Sequence, residues 1–240
     1  MTEKLEKRGE PKHRPGGGIL RDAVYAAHDG IITTFAVVAG VIGADLSGGI
    51  VLVLGIANLI ADGISMGAGN FLGLRSEQTF IKSEHAAEKQ EIEDVPEEEQ
   101  NEIREIYREK GFEGALLEQI VNTITADKER WAHIMLHEEL GLSHPEDIRT
   151  MRNALVTFLS FLMAGTVPLV PYLIPWFEDM RFPASIFFTA FALFFVGGIR
   201  TIVMRGNIML NALEVLLIGS LSGIAAYVIG FALRSLVNAA

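Results

Sequence analysis

The sequence contains no cysteine among its 240 residues. Without thiols the chain cannot form disulfides, thiolate zinc sites or cysteine-bound iron–sulfur clusters, so a metal ion would have to be bound by other side chains. The first 18 residues also lack the apolar core and the small-residue cleavage site of a signal peptide. We therefore expect them to belong to a polar cytoplasmic arm. The absence of cysteine leaves the compartment open.

Basic residues are scarce in the middle of the chain. Residues 76–149 contain 20 Asp and Glu but only 8 Lys and Arg, whereas the other residues hold 10 acidic and 12 basic side chains. The formal net charge of −10 argues against nucleic acid as a partner, because phosphates would meet like charge. Half of the residues are hydrophobic, and the mean hydropathy is +0.32. The composition therefore indicates a nearly neutral body in a lipid bilayer, with a strongly acidic insert.

Five apolar segments are long enough to cross a bilayer, which requires about 20 residues for about 30 Å of hydrocarbon. They are predicted at residues 22–44, 50–74, 155–177, 183–203 and 208–233. The third contains the proline-rich sequence VPLVPYLIP and is therefore expected to break near its far end. The second continues without a helix breaker into the acidic insert as far as Pro96. This continuity predicts one long helix that leaves the membrane.

These segments predict an all-α membrane protein, with five transmembrane helices and a cytoplasmic helical metal-binding domain inserted between the second and third. The expected boundaries are 1–21 for the N-terminal arm, 22–75 for transmembrane helices 1 and 2, 76–150 for the metal-binding domain and 151–240 for transmembrane helices 3–5. Inside the insert, helices are predicted over residues 76–93, 97–110 and 113–140.

Lys and Arg are unevenly distributed between the short connections. The N-terminal arm has six of them, the turn at 45–49 has none, and the turn at 176–182 has only Arg181. The positive-inside rule therefore places the N-terminus and the insert in the cytoplasm and the C-terminus outside. The arm has no organelle-targeting features, which favours a bacterial inner membrane.

Three pairs of glycines stand four residues apart inside or near the predicted spans, namely Gly63–Gly67, Gly69–Gly73 and Gly219–Gly223. Such pairs let helix backbones approach closely in lipid. We expect them to pack helices of the same chain, with a seam between two copies as the alternative.

Two carboxylates, Asp29 and Asp62, interrupt the first two predicted spans. A charged side chain near mid-bilayer costs at least about 2.5–3.5 kcal/mol, so such residues usually mark an ion path. On the second span, Asn58, Asp62 and Met66 stand at i, i+4 and i+8, and Ser65 falls within the same sector of about 100°. Oxygen ligands together with a thioether favour a borderline divalent cation such as Fe²⁺ over Mg²⁺ or Ca²⁺.

Each of these residues also has a simpler interpretation. Asp29 could be solvated near the cytoplasmic interface or cap a local break at Gly30. Met66 alone is more often a packing residue than a ligand. Asn58 could form a hydrogen bond with a neighbouring helix.

The acidic insert repeats carboxylates at helical spacing on both sides of Pro96. The members of the two acidic faces include Glu84, Glu88, Glu91, Glu98, Glu99 and Glu102. Solvation of a charged surface would explain such a run, but two antiparallel acidic faces would bring four or more carboxylates together and would need cations. The third predicted helix adds Met135, Glu138 and Glu139, with His133 and His137 as secondary candidates. This carboxylate-rich set favours Fe²⁺ or Mn²⁺ over a structural zinc site.

A ferritin-like di-iron enzyme would need Glu-x-x-His on two helices of a bundle. No Glu stands three residues before His85, His133, His137 or His144. The sequence therefore argues against such an oxidase, and it predicts no other enzyme.

Several motifs make the chain resemble the vacuolar iron transporter family, from Arg21 to about Ala232. They are HDGIITTFAVVAG at 28–40, ADGISMGAGNFL at 61–72, the Glu-rich insert with its Val-Pro turn, WAHIMLHEELGL at 131–142 and GTVPLVPYL at 165–173. The resemblance implies five spans with a cytoplasmic insert after the second. It also implies a homodimer that exchanges cytosolic Fe²⁺ for protons along a path near the dimer interface, with Mn²⁺ and Co²⁺ as further candidate substrates.

Carried over position by position, the resemblance assigns Asp29 and Met66 to the transport path. It assigns the metal ligands of the insert to Glu88, Glu91, Glu99, Glu102, Met135 and Glu139. Glu84, Glu98 and Glu138 are secondary metal candidates. Plant relatives have a glutamate where this chain has Asn58, and Asp62, one turn further along, is expected to supply the missing carboxylate at a depth that the sequence does not fix.

The leading hypothesis is a proton-coupled exporter. In it the insert captures Fe²⁺, and the ion then passes along a path lined by Asp29, Asn58, Asp62, Ser65 and Met66. Zn²⁺ joins Mn²⁺ and Co²⁺ as a further candidate ion. The alternatives are a membrane-anchored metal buffer or sensor, which has no use for intramembrane carboxylates, and a channel in place of an antiporter.

Overall fold

The computed structural model describes residues 17–143, 145–204 and 207–237. These residues form only α-helices, short 3₁₀ segments and connections, which confirms the all-α prediction. The α-helices are α1 (Gly17–Gly43), α2 (Gly48–Asp94), α3 (Pro96–Glu109), α4 (Gly114–Thr125), α5 (Lys128–Glu138), α6 (Thr150–Gly165), α7 (Val170–Leu173), α8 (Arg181–Met204) and α9 (Ile208–Val237).

Five helical segments of the described chain are long and apolar enough to cross a membrane. They are Gly18–Gly43, Gly48–Asp94, Thr150–Leu173, Pro175–Ile199 and Ile208–Leu236. Their number and positions confirm the five predicted spans. As predicted, α2 runs without a break from the second span into the acidic sequence and ends at Asp94, just before Pro96.

The third predicted span is interrupted near its far end. α6 ends at Gly165, and a 3₁₀ turn at Val167–Leu169, the four residues of α7 and a 3₁₀ segment at Pro175–Met180 follow. Each of these short pieces carries a proline in its first turn, where the missing N–H costs no helical hydrogen bond. The break predicted from VPLVPYLIP is thus confirmed.

The prediction of a single helix over residues 113–140 is wrong, because two helices, α4 and α5, occupy this stretch. Asp127 lies between them in an extended conformation, and its carboxylate accepts a hydrogen bond from the backbone N–H of Arg130 at 2.9 Å. This N-cap satisfies a donor that α5 would otherwise leave unpaired, so a new helix begins after Asp127.

The chain divides into two compact units. Within the described residues, the span unit comprises 17–69 and 152–237, and the acidic unit comprises 70–151. The core of the span unit is formed by α1, which packs against α8 and α9, and includes Phe35, Val38 and Phe161. The core of the acidic unit gathers Ile92, Ile103, Val121, Trp131 and Met135 from four helices.

The glycine pairs of the predicted spans differ in what they face. A Cβ on the Gly63–Gly67 pair would crowd side chains of α6, and one on the Gly219–Gly223 pair would meet Leu193 of α8 or Phe35 of α1. Packing within the chain is therefore confirmed for these two pairs. A Cβ on the Gly69–Gly73 pair would have no described atom within 4 Å.

Two adjacent glycines of α8 provide a test of the close packing. A Cβ at Gly197 would lie 2.7 Å from the Cα of Ala212 and 2.9 Å from the carbonyl oxygen of Asn211, whereas one at Gly198 would lie 3.7 Å from Ile208 Cγ2. Ala is more favourable than Gly inside a helix by about 1 kcal/mol. We therefore expect Gly198→Ala to keep or raise the melting temperature in detergent. Gly197→Ala should lower it, since overpacking costs about 1–3 kcal/mol. Equal melting temperatures would contradict the close approach.

Candidate metal centre and ion path

The turn at Val95 and Pro96 brings the end of α2 close to the start of α3. The Val95 N–H donates to the carbonyl oxygen of Glu91 at 2.8 Å, and Pro96 occupies the first helical position of α3. The first turn of α3 contains three glutamates, Glu97, Glu98 and Glu99. The positive end of the helix dipole stabilises carboxylates at this place.

Three of the predicted ligands meet at this turn. One carboxylate oxygen from each of Glu88, Glu91 and Glu99 lies within 4.8 Å of the others. Glu88 is 5% exposed and Glu99 is 4% exposed, while Glu91 is open to solvent. In the described part of the chain, the Oε2 atoms of Glu88 and Glu99 are buried without a hydrogen-bond partner. Buried, unsatisfied carboxylate oxygens indicate a site that a cation would complete.

The electrostatics of the cluster depend on its protonation. Burial, together with the negative charges of neighbouring glutamates, raises the pKa of Glu88 to about 7 and that of Glu99 to about 7. Lost hydration and the charges of Glu102 and Glu91 also raise the pKa of Glu139. Protons therefore compete with a metal ion for these oxygens near neutral pH.

The dimensions of the cluster fit a small divalent cation. Three oxygens bound to one ion at about 2.1 Å lie about 3.0–3.6 Å from one another. A spread within 4.8 Å therefore requires each oxygen to move by no more than about 1 Å. An all-oxygen donor set suits Mn²⁺ and Fe²⁺, and three negative charges would offset the two positive charges of the ion.

The other predicted ligands of the insert lie in different surroundings. Glu102 is exposed but close enough for its charge to act on Glu88 and Glu99. Glu139 is the C-cap residue of α5, where the helix dipole disfavours a carboxylate. Met135 is fully buried in the hydrophobic core of the acidic unit.

The secondary metal candidates are not members of the cluster of Glu88, Glu91 and Glu99. Glu84 is half-buried on α2, one turn before Glu88, and Glu98 is exposed. Glu138 forms an ion pair with Lys110, so its charge is already compensated. This ion pair was not predictable from the sequence, because the two residues belong to different helices, 28 positions apart in the chain.

The two intramembrane carboxylates lie at the same level of the span unit. Asp29 stands 14 positions before the last residue of α1, Gly43, and Asp62 stands 14 positions after the first residue of α2, Gly48. At 1.5 Å per residue, each lies about 21 Å along its helix from the short connection. Both are half-buried, and they are close enough to interact electrostatically.

The polar stripe of α2 is organised by a hydrogen bond. Asn58 Nδ2 donates to Asp62 Oδ2 at 2.7 Å, so the amide orients the carboxylate one turn away. Met66 packs against the hydrophobic core of the span unit, and Ser65 is exposed. The Asn58–Asp62 bond was readable from the i, i+4 spacing, which places such side chains side by side on a helix.

Comparison with known proteins agrees with the motifs. A sequence model of the VIT family matches residues 20–231. Vacuolar iron transporter 1 of Arabidopsis thaliana is 36% identical over 217 residues, which cover 90% of this chain and 86% of that protein. Vacuolar iron transporter 1 of Tulipa gesneriana is 33% identical over 234 residues, covering 98% and 95%. The vacuolar iron transporter of Toxoplasma gondii is 35% identical over 230 residues, covering 92% and 76%.

Proposed function

Because this chain belongs to the VIT family, we propose that it exports cytosolic Fe²⁺ across a membrane in exchange for protons. Mn²⁺ and Co²⁺ are further candidate substrates. The chain is an integral membrane protein with five candidate spans, and its relatives are named as transporters, not enzymes. The observation that carries the proposal is the pair of half-buried carboxylates, Asp29 and Asp62, at one level of the span unit.

Capture of the ion is assigned to the acidic unit. The cluster of Glu88, Glu91 and Glu99 supplies three carboxylates, two of them buried. Glu102, Met135 and Glu139 complete the proposed set of ligands. Their charge and partial burial support reversible binding, because protons and metal ions compete for the same oxygens at neutral pH.

Passage through the membrane is assigned to the span unit. Asp29, Asp62 and Met66 would contact the ion, Asn58 would orient Asp62, and Ser65 would line the same stripe. Protonation of the aspartates on the far side would release the metal, and return of those protons to the cytoplasm would reset the path. Asp62 would thereby replace the glutamate that plant relatives carry at the position of Asn58.

The proposed orientation places the N-terminus and the acidic unit in the cytoplasm and the C-terminus outside, in a bacterial inner membrane. It rests on the distribution of Lys and Arg in the short connections. We further propose a homodimer, which the resemblance implies. The open surface at the Gly69–Gly73 pair supports a contact with a second copy.

A transport assay tests the function. The full-length protein is reconstituted in proteoliposomes, and the flux of Fe²⁺, Mn²⁺, Co²⁺ and Zn²⁺ is measured with and without a pH gradient. We expect Fe²⁺ flux that increases with an opposing proton gradient and is accompanied by proton movement. Flux that does not depend on the gradient would indicate a channel, and binding without flux would indicate a buffer or sensor.

A further inference from the structure

The acidic unit carries a second group of metal-ligating side chains. A surface pocket of about 490 Å³ is lined by His85 of α2 and by Glu129, Arg130 and His133 of α5. Its lining shares no residue with the cluster of Glu88, Glu91 and Glu99. The pocket thus offers imidazole nitrogens, whereas the cluster offers only carboxylate oxygens.

The two histidines follow a pattern of paired residues between α2 and α5. Lys89 of α2 forms an ion pair with Glu129 of α5. His85 stands one turn before Lys89, and His133 stands one turn after Glu129. Residues four apart lie on the same face of a helix. His85 and His133 therefore lie on the faces of α2 and α5 that carry this ion pair, and both line the same pocket.

A further ion pair and a side-chain hydrogen bond lie near the two histidines. Lys128 donates to Glu93 Oε1 at 3.1 Å, which holds the start of α5 against the end of α2. Arg130 donates from Nη1 to the carbonyl oxygen of Thr123 at 2.9 Å. The positive charges of Lys89 and Arg130 are therefore each engaged by an oxygen acceptor at the pocket.

We propose that His85 and His133 form a binding site for a borderline divalent cation of the class of Zn²⁺, Co²⁺, Ni²⁺ and Cu²⁺, with Glu129 as an additional oxygen ligand. Imidazole nitrogen is a common ligand of these ions, and affinity for such a site follows the order Co²⁺ < Ni²⁺ < Cu²⁺ > Zn²⁺. His133 is exposed and His85 is half-buried, so both side chains can change rotamer to approach one ion. The high density of carboxylates in this part of the chain attracts cations to the pocket.

Such a site would give the acidic unit two kinds of metal selectivity. The carboxylate cluster suits Fe²⁺ and Mn²⁺, and the histidine pocket holds ions that prefer nitrogen ligands. The inference concerns binding alone and does not depend on the proposed transport of iron.

The test uses the full-length protein in detergent, without a histidine tag, in a Glu88→Gln and Glu99→Gln background that weakens the carboxylate cluster. Zn²⁺ affinity is measured by calorimetry, and the electron paramagnetic resonance spectrum is recorded with one equivalent of Cu²⁺. We expect nitrogen splitting in the Cu²⁺ spectrum. We also expect at least about a tenfold loss of Zn²⁺ affinity in His85→Ala and in His133→Ala, because each removes a ligand.

His137 was a secondary metal candidate from the sequence, but it is exposed on α5 and belongs neither to the lining of the pocket nor to the cluster of Glu88, Glu91 and Glu99. His137→Ala is therefore the matched control. It should leave both readouts unchanged. If His85→Ala lowers the melting temperature, the measurement is repeated with His85→Asn, which keeps a polar side chain. Equal Zn²⁺ affinities in the His85, His133 and His137 variants, or a Cu²⁺ spectrum with oxygen ligands only, would overturn the site.

Discussion

Replacing Asp29 by Asn is expected to reduce Fe²⁺ transport in proteoliposomes to about a hundredth of the wild-type rate or less. The amide keeps the size of the side chain but cannot carry the negative charge that offsets a cation at membrane depth. A charge without a counter-charge at membrane depth costs about 2.5–3.5 kcal/mol. A transport barrier raised by this amount corresponds to a factor of roughly 100 in rate. The structure supports a large effect because Asp29 and Asp62 lie at one level, so the variant leaves a single carboxylate there.

Asp22→Asn is the matched control, because it makes the same change on the same helix. Asp22 pairs with the neighbouring Arg21 at 3.2 Å and does not belong to the proposed path. We expect its transport rate to stay within about twofold of wild type, because Asp22 lies seven residues before Asp29, about 10 Å away along α1. Glu88→Ala should weaken transport without abolishing it. Transport by Asp29→Asn at the rate of the Asp22 control would refute the assigned path.

The affinity of the carboxylate cluster for a divalent ion is expected to fall about 100-fold between pH 8 and pH 6. The pKa values of Glu88 and Glu99 are raised to about 7, so both carboxyl groups are mostly ionised at pH 8 and mostly protonated at pH 6. Displacing two protons costs about a factor of ten each per pH unit below the pKa. Calorimetric titration of the full-length protein with Mn²⁺, which resists oxidation, measures the change.

The same raised pKa values determine how the metal-free protein responds to pH. A carboxyl group with a higher pKa in the folded chain binds more protons when folded, so its contribution to the free energy of unfolding falls as pH rises from its ordinary value of 4.5 through about 7. Glu88→Gln combined with Glu99→Gln should abolish most of the pH dependence of the Mn²⁺ affinity and of this contribution to the free energy of unfolding. A Mn²⁺ affinity that stays constant from pH 8 to pH 6 in the wild type would contradict the raised pKa values.

The sequence was most informative where one local signal dominated. The continuity of α2 follows from the absence of a helix breaker before Pro96, and the break after α6 follows from closely spaced prolines. The boundary between α4 and α5 was also marked, by Asp127 as an N-cap residue. The apolar spacing that continues through Trp131 and Ile134 outweighed this short signal and led to one predicted helix where two exist.

Burial within the candidate site could not be predicted, because it depends on how helices rotate against each other. Glu99 and Glu102 lie one turn apart on α3 and look alike in the sequence, yet Glu99 is 4% exposed and Glu102 is open to solvent. The resemblance assigns Met135 as a metal ligand, and the sequence did not show that it is fully buried in the core with Ile92 and Ile103. These differences arise from contacts between residues far apart in the chain.

Gly30, next to Asp29, faces α6 so closely that a Cβ there would lie 2.5 Å from the carbonyl oxygen of Phe161, and a Cβ at Gly165 would lie 2.8 Å from the carbonyl oxygen of Gly30. With backbone against backbone on that side, no side chain can rotate aside to widen a passage. Any opening beside Asp29 must therefore come from α1 and α6 shifting as one body, or from movement of the helices on the opposite face of α1.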